Sequence, residues 1–298
     1  MQFRGMMPIL PTAITADGAF DEASHGRGVE YALGCGAVAI GHFGMAAELY
    51  KIPQAMRRRV AEVVVDAVAR RVPVFLGVTS PGVAISCEFA REAEALGADL
   101  IMSALPYVDL PDAEGARAYY EALARATTLP IIVQDTPASS ATLTAELLVG
   151  LTTTIENVQH VKAEGKAVLA KTAALLERTG DDVSVIGGAG GRLLIHLLRL
   201  GVTAFMTGTE ALELHGGAVA AYLAGDEERA AKIYFEQILP YLEFYLEYPE
   251  ELLKWMLERR GVLESATVLA PRAAAPMSEV ERRELEWVLA RIGWGEAR

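Results

Sequence analysis

The sequence predicts an α/β protein, a (β/α)8 barrel of the TIM type with a C-terminal helical extension. Short apolar runs recur at intervals of roughly 25–30 residues, and each is followed by an amphipathic stretch long enough for a helix. The runs are almost continuously apolar, which is typical of strands buried on both faces of a parallel sheet. Eight such units in succession indicate a barrel of parallel strands covered by helices.

The candidate strands follow one another along the first two thirds of the chain. They are predicted at 7–10, 37–40, 73–77, 99–102, 130–134, 157–162, 183–186 and 203–206. The stretches between them predict helices at 53–69, 83–96, 113–126, 166–178 and 191–200. Gly97, Gly180 and Gly201 follow three of these stretches, as glycine commonly does where a helix ends.

The strand pattern stops after Gly208, and the rest of the chain is rich in helical pattern. Its stretch 250–260 carries Leu252, Leu253 and Met256 at helical spacing, which predicts a packing surface rather than a ligand site. We therefore expect residues 1–208 to form the barrel and residues 209–298 to form a helical extension packed on it.

Composition excludes several classes of function. The chain has 298 residues, of which 52% are hydrophobic and 22% charged, so it is too long and too apolar for a disordered segment. A net charge of −12 argues against nucleic acid or an acidic membrane surface as partner. Cys35 and Cys87 lack the spacing of a metal site or a disulfide framework. Without a signal-like apolar segment or a long apolar run, a soluble cytoplasmic protein is expected.

The first candidate catalytic residue is a lysine that closes the sixth strand. Active centres of such barrels lie at the carboxyl ends of the strands. Strand alternation places Lys162 on the same face as His160, for which a neutral core role is expected. If that face points inward, low polarity favours the neutral amine, which can attack a carbonyl. Alternatively, Lys162 points outward or pairs with Glu164, and alternation alone leaves these possibilities open.

Three other segments lie at predicted strand ends. Gln134 and Asp135 close the fifth strand and could position a hydroxyl or water, although Asp135 could equally cap a turn. The small residues at 41–48 could bring backbone amides close to an anionic substrate, or could simply permit tight packing. The glycines at 187–191 do not continue into the lysine of a P-loop, and we interpret them as an open backbone rim for a substrate tail.

Together these segments resemble the dihydrodipicolinate synthase and N-acetylneuraminate lyase family, whose members are class I aldolases and dehydratases built as barrels with a helical extension. The resemblance covers essentially the whole chain. Residues 36–52 lie in register with the family's Gly-Thr-Thr-Gly-Glu loop, and residues 129–137 lie at its Tyr-Asn-x-Pro motif. Residues 157–162 match the strand that carries the Schiff-base lysine, so the resemblance implies that Lys162 forms the imine.

The sequence departs from the family pattern throughout the hydroxyl relay. The carboxylate-binding threonine pair falls on Met45 and Ala46, whose backbone N–H groups could still bind a carboxylate. The relay tyrosine falls on Gln134, a second tyrosine falls on Val108, and the arginine for a dicarboxylic partner falls on Ser139. These departures argue against the activities of dihydrodipicolinate synthase and of the sialic acid lyase.

The motif that begins at Gln134, together with 161–164 and the glycine rim, is similar to the sugar-acid branch of the family, notably 2-keto-3-deoxy-L-arabinonate dehydratase. Such enzymes eliminate water after forming an imine, because the protonated imine acidifies the C3 proton. Gln134 can orient a hydroxyl or water but cannot act as a base at neutral pH. Of the nearby carboxylates, Glu164 is expected at the surface or as an indirect partner, and Glu48 is left open between loop support and a catalytic role.

We therefore expect an imine-forming lyase acting on a small 2-keto acid, in the first place a dehydratase of a 2-keto-3-deoxy sugar acid. The predicted site comprises Lys162 as nucleophile, Gln134 as orienting group, Met45, Ala46, Ser139, Gly187 and Gly188 as substrate contacts, and Glu48 and Asp135 as supports. No metal or cofactor is expected. The alternatives are an aldol or retro-aldol lyase and a catalytically decayed barrel that only binds a keto acid. The family likeness also implies a homo-oligomer, a tetramer or a dimer.

Overall fold

Eight strands alternate with helices in the computed structural model, which describes residues 2–271 and 275–294. The strands are β1 (Gly5–Met6), β2 (Ile40–His42), β3 (Val74–Gly77), β4 (Leu100–Ser103), β5 (Ile131–Asp135), β6 (Val158–Ala163), β7 (Ser184–Gly187) and β8 (Ala204–Phe205). The helices up to β8 are α1 (Glu22–Gly34), α2 (Gln54–Val68), α3 (Val83–Ala95), α4 (Ala113–Ala126), α5 (Ala145–Thr154), α6 (Val168–Thr179) and α7 (Leu194–Arg199). The predicted alternation is confirmed.

All neighbouring strands are parallel and form one curled sheet in the order β1-β8-β7-β6-β5-β4-β3-β2. The segment after β1 reaches the other edge of the sheet. There Gly41 donates its N–H to the carbonyl of Pro8, and Leu10 donates to the carbonyl of Gly41, each at 2.9 Å. The sheet therefore curls until its edges are hydrogen-bonded, as the barrel prediction requires.

The first two strands differ from their predicted positions. β1 ends at Met6, although Met7 and Ile9 still donate to the carbonyls of Phe205 and Thr207. On the side of β2, Ile9 makes only an isolated bridge to Gly41, because Pro8 has no N–H to donate there. β2 begins at Ile40 rather than at residue 37, since the N–H of Ala37 still bonds the carbonyl of Ala32 and closes the end of α1.

The C-terminal part of the described chain is helical, as predicted. It contains α8 (Leu212–Leu223), α9 (Glu227–Ile233), a π-helical turn (Tyr234–Ile238), α10 (Leu239–Glu247), α11 (Pro249–Arg259) and α12 (Glu279–Arg291). Tyr241, Tyr245 and Leu253 on α10 and α11 are buried, in agreement with a packing role. The division at residue 208 stays a prediction. Within the described residues, none of the helices is both long and apolar enough to cross a membrane.

The inside of the curled sheet is apolar and ends in polar side chains at its carboxyl edge. Met102, Ile132, Ile186 and Met206 belong to one buried cluster inside the sheet, which also contains Phe3, Met7, Ile9, Ala39, Ala47, Phe75, Leu100 and Ala204. Strand alternation places the next inward positions of β5 and β6 at Gln134 and Lys162, which are directly paired in the sheet. The fold therefore brings these two residues together above the apolar interior.

Candidate active site

Lys162 is buried at the carboxyl end of β6 and pairs with Glu164. Its side chain is 6% exposed, and its Nζ lies 3.1 Å from Glu164 Oε1. Strand alternation left the outward and the inward lysine open. The structure has the inward one, and the possible pair with Glu164 is also present. Lys162 therefore faces the interior of the sheet and is paired there with the carboxylate of Glu164.

Glu164 joins three parts of the site. Its Oε2 accepts a hydrogen bond from Gln134 Nε2 at 2.6 Å, and its Oε1 accepts one from the backbone N–H of Ala189 at 2.8 Å. The side chain is 13% exposed, so the expectation of a surface residue is wrong, while that of a partner to the site agrees with these contacts. The available signal was its position two residues after Lys162, on the same face of an extended strand.

Gln134 keeps a free acceptor beside Lys162. Its side chain is buried, and its Oε1 has no hydrogen-bond partner among the described residues. A buried amide oxygen without a partner is unfavourable, so this atom is suited to bind a hydroxyl or water that enters the site.

Asp135 faces away from Lys162 and forms a separate ion pair. Its Oδ2 lies 2.9 Å from Nζ of Lys171, which also donates to Ser140 Oγ at 2.8 Å and to the Leu143 carbonyl at 2.7 Å. Burial raises the pKa of Asp135, and Lys171 opposes that shift. The residue anchors α6 to the loop after β5, which agrees with its predicted supporting role.

Ser139 lies in the loop after β5, where its hydroxyl is already bonded. Its Oγ accepts from the N–H of Thr136 at 3.1 Å and lies 3.0 Å from Thr136 Oγ1. These contacts close a turn, and no hydrogen bond joins Ser139 to Lys162 or Glu164. A contact between Ser139 and substrate stays a prediction.

Gly187 and Gly188 provide room for neighbouring side chains. A methyl group on Gly187 would overlap the ring of Phe205, and one on Gly188 would overlap the side chain of Glu164. Gly188 thus allows Glu164 to fold toward Lys162. A backbone rim for a substrate tail at these two positions stays a prediction.

Met45 and Ala46 open a short 3-10 turn after β2. Met45 is 37% exposed, whereas Ala46 packs against the apolar cluster inside the sheet. The first N–H groups of such a turn have no acceptor within it, so they are available to an anion. Their predicted role as a carboxylate site is compatible with this geometry and stays a prediction.

Glu48 ends that turn in a left-handed backbone conformation, with φ of 57°, and is fully buried. It forms ion pairs with Lys254 of α11 and, at 3.2 Å, with Lys51. Its Oε2 also accepts from the N–H of Leu269 at 2.8 Å. These contacts give Glu48 the role of loop support that the sequence left open, and the structure shows no contact between it and Lys162.

The arrangement around Lys162 can carry out proton transfer and nucleophilic attack. Glu164 can take a proton from the paired ammonium, which leaves an amine able to attack a carbonyl, and the carboxyl can then return the proton. Among the described residues, no cluster of three or more His, Cys, Asp or Glu side chains is placed to hold a metal ion.

Comparisons with known proteins agree over nearly the full chain. The model of the dihydrodipicolinate synthetase family matches residues 2–292. The 4-hydroxy-tetrahydrodipicolinate synthase of Methanopyrus kandleri is 29% identical over 294 residues, covering 96% of both chains, and that of Chelativorans sp. is 28% identical over 282 residues, covering 94% of this chain and 96% of the other. The crystal structure of the Escherichia coli prophage protein YagE in complex with pyruvate superimposes with a TM-score of 0.90 at 24% identity, covering 98% of this chain and 99% of YagE.

Proposed function

The chain belongs to the dihydrodipicolinate synthetase family, whose members are lyases that work through a lysine imine, and on this premise we propose that it dehydrates a 2-keto-3-deoxy sugar acid. Lys162 is the nucleophile, Glu164 moves the protons, and Gln134 orients the substrate. The observation that carries the proposal is the carboxylate of Glu164, which binds both Lys162 and Gln134.

Imine formation begins when Glu164 takes a proton from the Lys162 ammonium. The amine attacks the keto carbon of the substrate, and the former keto oxygen takes one proton from the attacking nitrogen and one from Glu164, so that it leaves as water as the C=N bond forms. No net proton is gained or lost, since an ammonium and a ketone become a protonated imine and water. A single carboxylate at 3.1 Å from Nζ is enough for this step.

The protonated imine then acidifies the C3 proton of the substrate, which Glu164 removes to give an enamine. The free Oε1 of Gln134 accepts a hydrogen bond from a substrate hydroxyl and fixes the chain in the site. The substrate carboxylate binds the N–H groups of Met45 and Ala46, with Ser139, Gly187 and Gly188 as further candidate contacts.

Gln134 favours elimination over aldol chemistry. Aldol cleavage requires a base for the C4 hydroxyl proton, and the family tyrosine that matches this position is replaced by an amide that cannot take up a proton at neutral pH. Elimination instead requires removal of the C3 proton, for which Glu164 is available. The full-length relatives compared above are named as synthases, so the substrate assignment rests on these residues of the chain itself.

Borohydride trapping tests the proposal. The protein is incubated with a 2-keto-3-deoxy pentonate and borohydride, and we expect a reduced adduct on the peptide that contains Lys162. Lys162→Ala should abolish the adduct, whereas the exposed Lys166→Ala serves as the matched control and should keep it. Without borohydride, the product should be lighter than the substrate by one water.

Three outcomes contradict the proposal in different ways. Pyruvate and an aldehyde as products would indicate the aldol lyase. Keto-acid binding that is insensitive to Lys162→Ala, with no product, would indicate a decayed barrel. An adduct on a lysine other than Lys162 would remove the assigned nucleophile.

A further inference from the structure

A second buried carboxyl group, that of Glu210, follows β8 at the carboxyl edge of the curled sheet. Ala204 and Met206 belong to the interior cluster, and backbone pairing continues past β8, since Thr207 accepts a hydrogen bond from Ile9 at 2.9 Å. Alternation therefore directs Gly208 inward. A methyl group on Gly208 would overlap Glu210 Oε2 and Leu253 Cδ1, so the Glu210 carboxyl and the Leu253 side chain of α11 share the space that this glycine leaves open.

Glu210 has no partner that explains its burial. It is completely inaccessible to solvent, and neither carboxyl oxygen bonds another described residue. An ionised carboxylate in such surroundings is costly unless it is paired. Burial raises the pKa of Glu210 to about 7, and the nearby charge of Glu213 adds to that effect. Glu213 itself is paired with Arg260 and accepts a hydrogen bond from Tyr31, so these groups do not neutralise Glu210.

Glu164 has the opposite environment at the neighbouring strand end. It occupies the inward space left by Gly188 after β7, as Glu210 occupies that left by Gly208 after β8. β7 and β8 are adjacent in the sheet. Glu164 has one ammonium and two N–H donors as partners, which suit a carboxylate, whereas Glu210 has none. Carboxyl groups with opposed environments are the usual basis for separate acid and base roles, and these two follow adjacent strands.

Tyr245 of α10 is buried near Glu164 and is influenced by the charges of both carboxyl groups. Its ring packs where a side chain on Gly190 would lie, next to Ala189, whose N–H holds Glu164. Burial and the charges of both Glu210 and Glu164 raise the pKa of the Tyr245 phenol, so the phenol lies within electrostatic range of both. Tyr241, one turn earlier on α10, also faces Glu210. A π-helical turn precedes α10 at Tyr234–Ile238, a feature common at functional sites.

We propose that Glu210 is the general acid of the elimination and Glu164 its base. This assignment rests on the proposed function. The C3–H bond breaks, its proton goes to Glu164, and its electron pair forms the enamine. The nitrogen lone pair of the enamine then re-forms the C=N bond, the C2=C3 pair becomes a C3=C4 double bond, and the C4–O bond breaks. The proton of Glu210 goes to the departing oxygen, which leaves as water.

Water then hydrolyses the product imine, which releases the unsaturated keto acid and returns Lys162 to its ammonium form. At this point Glu164 is protonated and Glu210 is ionised. A phenol can accept one proton while it donates another. Tyr245 therefore returns the proton from Glu164 to Glu210, and both groups are ready for the next substrate. Tyr245 acts here through the two carboxyl groups and does not touch the reacting carbons.

Glu210→Gln tests the acid role, because glutamine has the shape of the protonated side chain and no proton to give. With pyruvate, the variant should still form the borohydride adduct at Lys162 and exchange its methyl protons in D2O as the wild type does. Its kcat for dehydration should fall by about 10²–10⁴-fold. The wild-type kcat should decline above pH about 7, where Glu210 ionises, and the variant should lose this alkaline limb. Glu251→Gln, another buried glutamate with an unpartnered oxygen, is the matched control and should keep both rate and limb.

The readouts separate this inference from the proposed function. If the wild type forms no adduct at Lys162, the proposed function fails. Three results with Glu210→Gln would contradict the acid role although the adduct forms. They are dehydration at the wild-type rate, an alkaline limb that persists, and loss of methyl exchange together with dehydration.

For Tyr245→Phe we expect a first turnover at the wild-type rate followed by slower turnovers. Equal rates in the first and later turnovers would rule out the return of the proton through Tyr245.

Discussion

At the scale of single residues, the site depends on Gly188, which leaves room for the Glu164 side chain. The sequence alone does not distinguish such a glycine from one that only makes a loop flexible. Gly188 has a backbone conformation open to alanine, with φ of −131°, but a methyl group there would overlap Glu164. We expect Gly188→Ala to displace the carboxylate from Lys162 and Gln134 and to lower kcat by about 10²-fold, the usual effect of an ångström-scale misplacement. The measurement is the dehydration rate together with methyl exchange of pyruvate.

The control for this substitution is Gly26→Ala, since Gly26 lies in α1 and an added methyl group would meet nothing within 4 Å. It should leave the rate unchanged. Wild-type activity in Gly188→Ala would show that the position of Glu164 next to Lys162 is not required, and would weaken its assignment as base.

Sequence reasoning was more definite about the residues that end strands than about those that follow them. Lys162 and Gln134 were predicted because a polar residue that closes an apolar strand points into the mouth. Glu164 was predicted only as a surface residue or indirect partner, because its contact with Lys162 requires the extended backbone to continue one residue past the end of β6. Glu210 was not singled out, because it lies after β8 in a segment without periodicity and is brought inward only by the small size of Gly208.

At the scale of elements, α11 holds the loop that follows β2. Lys254 on α11 is fully buried, and its partners are Glu48 and the carbonyl of Thr267 at 2.8 Å. Burial lowers the pKa of Lys254, and Glu48 opposes that shift. Glu48→Ala would leave the ammonium buried without its carboxylate, at a cost of about 3–5 kcal/mol of unfolding free energy. Because Met45 and Ala46 lie on the same loop, KM for the keto acid should rise as well.

Urea unfolding of a double-mutant cycle checks this prediction. Lys254→Met removes the charge and keeps most of the volume. We therefore expect Glu48→Ala with Lys254→Met to cost clearly less than the sum of the single variants. Additive costs would mean that the two side chains do not stabilise one another.

The ends of the helices and strands also show which boundaries local sequence patterns predict well and which they do not. Helices α2, α3 and α4 lie within a residue or two of their predicted bounds, because their periodicity and caps are local. β1 is short since Pro8 interrupts its ladder on the side of β2, a signal that was present in the sequence and outweighed by its apolar pattern. α7 begins at Leu194 rather than at residue 191, because Gly190 and Gly191 adopt positive φ in a preceding turn.

At the scale of the whole molecule, the high apolar content divides into clusters inside the curled sheet and between strands and helices. The sequence predicted this burial without showing which polar groups are buried with it. Val108, which matches a site tyrosine of the family, is 70% exposed and lies outside the apolar interior. His25, His42, His160 and His215, in contrast, are all 2% exposed or less.

These four histidines make stability dependent on pH. Burial lowers the pKa of His25, His160 and His215 from 6.5 to about 4, and that of His42 well below its usual value. The unfolded chain therefore takes up protons below pH 6.5 that the folded protein does not, and stability falls as the pH drops from 6.5 toward 4. Glu210 opposes this over the same range, because the folded protein keeps its proton up to about pH 7. At the steepest point the unfolded chain binds four more protons on these histidines, and the folded protein keeps one more on Glu210. The net difference of three protons changes the free energy of unfolding by about 4 kcal/mol per pH unit. Urea unfolding at pH 7, 6 and 5 measures this pH dependence of the unfolding free energy, and Glu210→Gln should make it steeper. A constant unfolding free energy across that range would contradict the neutral state of the buried histidines.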